Sequence, residues 1–201
     1  MKEFYNMIFK RKSVRKFDAA LSLKADELAK IKQEIEHLIP LVSEIRVRFE
    51  IVNRLHTTAK YGEYCLLIYS EKKPHYLLNA GYMLEQMDLF FAAQDIGVCW
   101  YGLAKTKEKM IDGLEYVMML AFGKSSPQDF RQDVSEFKRK SREEIWQGDF
   151  DADVMEAVRF APSAMNTQSW RFVSEDKQIK VYRSTKSRSF IPINFLSLIH
   201  I

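Results

Sequence analysis

The 201-residue chain has only two cysteines, Cys65 and Cys99, so it carries no disulfide framework and points to a reducing compartment. No apolar run approaches the roughly twenty residues needed to span a bilayer. The N-terminal residues Lys2, Glu3, Lys10 and Arg11 surround a short apolar patch that lacks the pattern of a secretory signal. The four histidines, His37, His56, His75 and His200, show no paired spacing, which argues against a metal site. There is neither a phosphate loop nor a dinucleotide fingerprint. The net charge of +4 is too modest to imply nucleic acid by itself. These absences leave a soluble, cytoplasmic protein as the expectation, with no metal, membrane or nucleic acid.

With 47% apolar and 13% aromatic residues, the chain can bury one substantial core. Phe4, Ile8 and Phe9 suggest a short helix running into a basic patch. A helix is predicted from Lys24 to about His37, with Leu28, Ile31, Ile35 and Leu38 on one face and Pro40 beyond it. Val47, Phe49 and Ile51 alternate with charged residues as in a half-buried strand, and Cys65–Tyr69 reads as a strand buried on both faces. Tyr76 to Asp95 is the best long helix, with an apolar stripe of Leu77, Ala80, Leu84, Met87 and Phe91. Gly97 stands where a helix-ending residue with positive φ belongs. Glu115–Gly123 reads as a core strand. Another helix starts near Asp151, and Arg171–Val173 and Ile179–Tyr182 form a hairpin around Glu175-Asp176-Lys177.

Four stretches concentrate chemistry. In Arg11-Lys12-Ser13-Val14-Arg15, guanidinium and ammonium groups beside a hydroxyl suit a phosphate, although a solvated basic tail is the simpler reading in isolation. Gly97-Val98-Cys99-Trp100-Tyr101-Gly102 would let backbone approach a flat ligand, and Cys99, with no partner histidine signature, reads as a small buried hydrophobe. Phe137-Lys138-Arg139-Lys140-Ser141-Arg142 is a charge cluster that could equally be solvated or cap the next helix turn. In Ala161-Pro162-Ser163-Ala164-Met165-Asn166-Thr167-Gln168-Ser169-Trp170, Pro162 stops a helix and a polar turn leads into a strand. From physics alone this last stretch reads equally well as a connecting turn or as a binding loop. Glu85 and Gln86, polar residues on a helix expected to be amphipathic, call for no special role.

The last stretch resembles the Pro-Ser-Ala-x-Asn-x-Gln-Pro-Trp signature of the nitroreductase-like flavoproteins, with Ser169 in place of the usual proline. The N-terminal run is similar to that family's Arg-Arg-Ser-x-Arg start, with Lys12 replacing the second arginine. The resemblance implies an α+β nitroreductase-like fold, a central, mostly antiparallel sheet flanked by helices. It implies FMN as cofactor and NAD(P)H as electron donor. Arg11, Lys12 and Ser13 would face the flavin phosphate, completed by Arg139 and Lys140, with Arg15 nearer the pyrimidine edge of the ring. Pro162, Ser163, Asn166 and Gln168 would lie against the ring, and a backbone N–H near Gly102 would meet its reacting edge.

The order of elements resembles the rearranged branch of the superfamily, in which a chain carries two related halves. The expectation is a single domain over residues 1–201, its halves spanning about 1–145 and 146–201. The second half looks shortened, because relatives continue beyond Ile191-Pro192 into another helix. The implied function is hydride transfer from NAD(P)H through FMN to a nitroaromatic, quinone or similar small acceptor, in a homodimer or a monomeric pseudo-dimer. No residue stands out as a dedicated catalytic acid. A non-catalytic FMN- or ligand-binding protein of the same fold is the alternative.

Overall fold

The computed structural model describes residues 4–18, 20–175 and 178–183. The expectations for Asp176, Lys177 and the segment from Ile191 onward lie outside them. Among the described residues, the α-helices and β-strands follow in chain order: α1 (Met7–Lys10), α2 (Ala25–Glu36), β1 (Val47–Asn53), β2 (Tyr64–Ser70), α3 (Tyr76–Ala93), β3 (Ile96–Tyr101), β4 (Met110–Ile111), β5 (Leu114–Lys124), α4 (Arg142–Ile145), β6 (Trp146–Gln147), α5 (Ala152–Phe160), β7 (Trp170–Glu175) and β8 (Gln178–Arg183).

Local chemistry sets most of the boundaries. At α2 the Glu27 carboxylate accepts a hydrogen bond from the Lys24 N–H at 2.9 Å. At α5 Asp151 Oδ1 accepts from the N–H groups of Asp153 and Val154 at 3.0 and 3.1 Å. A cap of this kind is worth about 1 kcal/mol. Ala161 turns out of the helix (ψ 140°) just before Pro162. After α3, Asp95 takes the left-handed conformation at φ 55°. That corrects the reading of Gly97 as the helix-ending residue. Gly97 lies within β3 and faces Gly123 of β5, where the neighbours leave no room for a side chain.

The main sheet is antiparallel, with spatial order β1-β2-β5-β3 and β4 pairing on β5. Alternate residues of β2 supply both faces: Leu66 and Ile68 pack with α3, while Cys65, Leu67 and Tyr69 pack with Met119, Ala121 and Leu114. At the β3 edge, Ser13 bridges Val98 in parallel, and the Val14 N–H donates to the Val98 carbonyl at 2.7 Å. The basic N-terminal run thus continues the sheet.

Helix α3 departs from the expected one-sided stripe. From Asn79 to Ala92 every residue except Tyr82 is buried. The sheet covers one side, and α1 and the segment after α2 cover others. Asn79 Oδ1 accepts from the Val42 N–H (2.9 Å), and Gln86 exchanges hydrogen bonds with the backbone of Ile39 (3.1 and 2.8 Å). The polar residues of this helix are clamps for the chain that lies over it.

A second, three-stranded sheet has the order β6-β7-β8, parallel at β6–β7 and antiparallel at β7–β8. Its core contains Ile145, Met155, Val158 and Trp170, with Trp146 stacked on Phe172 (centroids 5.2 Å apart, planes at 7°). Gly148 (φ 90°) permits this arrangement, because a Cβ there would come within 2.2 Å of the Ser174 carbonyl oxygen. Ile8, Leu89, Phe137, Ala157 and Phe160 form the apolar joint between the two parts.

Candidate functional site

The N-terminal strand-like segment, the end of β3 and the turn after α5 converge on one cavity of about 400 Å³. Eight of the eleven residues singled out in the sequence line it: Arg11, Ser13, Arg15, Gly102, Arg139, Pro162, Ser163 and Asn166. The other three lie off it. Because residues 11–15 are extended, alternate side chains face opposite ways. Arg11, Ser13 and Arg15 therefore face the cavity while Lys12 turns outward and pairs with Glu136 at 3.0 Å. Lys140 and Gln168 are bonded to one another: the Lys140 N–H donates to Gln168 Oε1 (2.7 Å), and Lys140 Nζ donates to the Gln168 carbonyl (2.9 Å). Gln168 Nε2 also donates to the Arg159 carbonyl at 2.9 Å. This buried amide ties the signature turn to the end of α5 and to the 138–141 segment.

The turn itself holds an unusual backbone. Met165, Asn166 and Gln168 have φ of 53°, 56° and 42°, a region costing non-glycine residues about 1 kcal/mol or more each. Ser163 Oγ accepts from the Gln168 N–H at 3.0 Å, and Asn166 Nδ2 donates to the Lys138 carbonyl at 2.6 Å. These bonds hold the turn in place and leave Met165 exposed at the cavity mouth.

Electrostatically the cavity is built from arginines. Arg11 is buried and lies with Nε 2.9 Å from Asp88 Oδ2 of α3; the N–H points off that line, so charge rather than a directed hydrogen bond holds the pair. Asp88 Oδ2 also accepts from Trp100 Nε1 at 2.6 Å. Arg131, which nothing in the sequence singled out beyond its charge, donates to the Arg11 carbonyl and lies over the Phe137 ring at 3.7 Å. Arg139 donates to Asn166 Oδ1 and to the Phe160 carbonyl. Burial, reinforced by the neighbouring guanidiniums, pushes Arg131 and Arg139 down to about 10. Each of the three arginines keeps a buried Nε without a hydrogen-bond acceptor. The clustered guanidiniums give the cavity a positive lining, the electrostatics an anion favours.

The remaining lining is largely apolar: Trp100, Leu103, Met118, Ala164 and Met165. Cys99 lies just outside, 3.7 Å from Ser13 Oγ, with burial raising its thiol pKa. That makes it an inert packing residue, as its sequence context indicated. A flat aromatic group carrying a phosphate fits such a donor set: guanidiniums for the anion, an apolar lining and a polar turn for the ring.

The antiparallel sheet with its flanking helices matches the fold of solved nitroreductase structures. Residues 3–195 match the family described as "Putative TM nitroreductase", and the chain belongs to that family. Among solved structures it is similar to a putative nitroreductase from Thermotoga maritima, with 19% identity and a TM-score of 0.62, covering 96% of this chain and 81% of that one. It is also similar to a putative NADH dehydrogenase/NAD(P)H nitroreductase from Bacteroides thetaiotaomicron, with 12% identity and a TM-score of 0.50, covering 67% of this chain and 95% of that one. No curated protein matches the chain. Among the described residues, no helix is long and apolar enough to cross a membrane.

Proposed function

We propose that the cavity binds FMN and that the protein is an oxidoreductase moving hydride from NAD(P)H to a nitroaromatic, quinone or related small acceptor. The observation that carries this reading is the convergence of Arg11, Arg131 and Arg139 with the Pro162–Asn166 turn on one largely apolar cavity. A flavin held there would supply the redox chemistry. The chain's own residues bind and orient. The three guanidiniums hold the phosphate, with Ser13 beside them. Arg15 lies further along the same segment, suited to the negative charge that develops on the ring. Trp100 and Met118 would keep water from the ring.

The lining contains no Asp, Glu, His or Tyr among the described residues, so none of its side chains stands out as a proton donor and water would supply the proton that accompanies reduction. Family resemblance extends the proposal to a homodimer acting in the cytoplasm on small molecules. An absorbance spectrum of the purified protein, taken after FMN is added and excess removed, tests the reading. Retained flavin and NAD(P)H oxidation in the presence of an acceptor are expected. Arg139→Gln should weaken FMN binding by about 1.5–3 kcal/mol, the scale of a hydrogen bond to a charged group. A folded protein that takes up no FMN refutes the proposal.

A further inference from the structure

A second groove, of about 460 Å³, adjoins the cavity, and Arg15 lines both. Its walls come from the segment after the N-terminal motif, the 60–63 turn and the end of β5. Five cations face it, Arg15, Lys16, Arg54, Lys60 and Lys124, against two carboxylates, Asp18 and Glu63. Both carboxylates are engaged by backbone: Asp18 Oδ1 accepts from the Ala20 N–H and Glu63 Oε2 from the Leu23 N–H, each at 2.9 Å. Lys124 is paired with Glu27.

The other four cations have no carboxylate partner among the described residues. Arg54 is half-buried and held by a bond from Nη1 to the Ala59 carbonyl at 3.3 Å, so part of this charge is fixed in position. The Lys60 N–H donates to the Tyr101 hydroxyl at 3.1 Å, which anchors the turn carrying Lys60 and Tyr61. Phe17, Leu21 and Tyr61 add apolar and aromatic surface, and Tyr61 is 39% exposed.

Unpaired cations next to exposed aromatic surface suit a purine nucleotide phosphate, the ring lying on the aromatic side chains and the phosphates facing the cations. We propose that this groove takes the adenosine-phosphate half of the electron donor and favours NADPH over NADH, the extra 2′-phosphate meeting the uncompensated charge. The proposal rests on the flavin reading of the adjoining cavity: a dinucleotide whose nicotinamide reaches that cavity passes Arg15 and lays its adenosine end in the groove.

Calorimetric titration with 2′,5′-ADP tests the groove without flavin or turnover. The wild type should bind it in a salt-sensitive manner, and Lys16→Gln/Lys60→Gln, two exposed changes outside the flavin cavity, should weaken binding roughly tenfold. In the holoenzyme the same variant should raise the KM for NADPH by a similar factor. The rate with 1-benzyl-1,4-dihydronicotinamide, which lacks adenosine and phosphates, should stay unchanged. Absence of 2′,5′-ADP binding, or an unaltered NADPH KM in the variant, overturns the proposal. A variant that loses a preference for FAD over FMN while its NADPH KM holds would assign the groove to the flavin's adenosine instead, also overturning it. Should the protein take up no flavin at all, the oxidoreductase reading falls, and the 2′,5′-ADP titration still decides whether the groove binds an adenosine phosphate.

Discussion

Asp88 is the point at which the candidate site depends most on the interior. Its side chain is 2% exposed and that of Arg11 is 4% exposed, with 2.9 Å between Nε and Oδ2. Asp88→Asn keeps the size and can still accept from Trp100, but it leaves the Arg11 guanidinium buried beside Arg131 and Arg139 with its nearest counter-charge gone. Removing one member of a buried pair costs about 3–5 kcal/mol, a large part of the ~5–15 kcal/mol that typically separates folded from unfolded chains. With a urea m-value of about 2 kcal/mol/M, the lower figure moves the unfolding midpoint down by about 1.5 M. Urea titration followed by far-ultraviolet circular dichroism measures this. The double variant Arg11→Met/Asp88→Asn removes both charges, keeps an acceptor for Trp100 and should recover most of the loss, because no unpaired ion remains. A loss in Asp88→Asn below about 0.5 kcal/mol, or a double variant worse than the single one, would refute the reasoning.

Two further changes probe the same region. Glu85 is buried on α3; burial first, and the Asp88 charge second, push its carboxyl well above the ordinary value of 4.5, against the opposing pull of Arg11. The folded chain thus keeps a proton that the unfolded chain releases. Stability should fall as pH rises above that ordinary value and until the folded group itself ionises. Glu85→Gln should flatten the dependence above the ordinary carboxylate range, measured by urea midpoints, and an unchanged slope would remove Glu85 as its source. Gly97→Ala would put a Cβ 2.8 Å from Ser125 Oγ and 3.0 Å from Val14 Cγ1. We expect a loss of about 1–3 kcal/mol by thermal or urea unfolding, together with weaker FMN binding as Val14 and the 11–15 segment are pushed from the sheet edge; a neutral substitution would contradict the tight contact.

Local signals made much of this legible in the sequence. The spacing of Leu28, Ile31 and Ile35, the helix start near Asp151 and the Pro162 stop each rest on a few neighbouring residues, and the elements they define appear within a residue or two of the expected ends. What failed depended on partners distant in the chain. Burial around all of α3 arises because the 38–42 segment folds over Asn79 and Gln86, which a stripe on a helical projection does not reveal. The preference for glycine at a left-handed position misdirected the helix end from Asp95 to Gly97. The motifs led to the right neighbourhood, yet a motif does not say which way a side chain faces. Alternation along residues 11–15 turns Lys12 outward, and the Lys140–Gln168 pair serves the turn. Arg131 joins the cluster through the bonds of its backbone N–H to the Lys10 carbonyl and of its side chain to the Arg11 carbonyl, and through its place over Phe137, and none of these leaves a trace in sequence.

The strand order has a consequence for synthesis. β5, the longest strand, pairs with β2, β3 and β4, yet it is the last strand of the main sheet to be made. A growing chain therefore carries α3, a helix buried over nearly its whole circumference in the finished fold, before the strand that completes its cover exists. The β2–β5 pairing joins segments roughly fifty residues apart, the kind of non-local closure that folds slowly and exposes sticky intermediates.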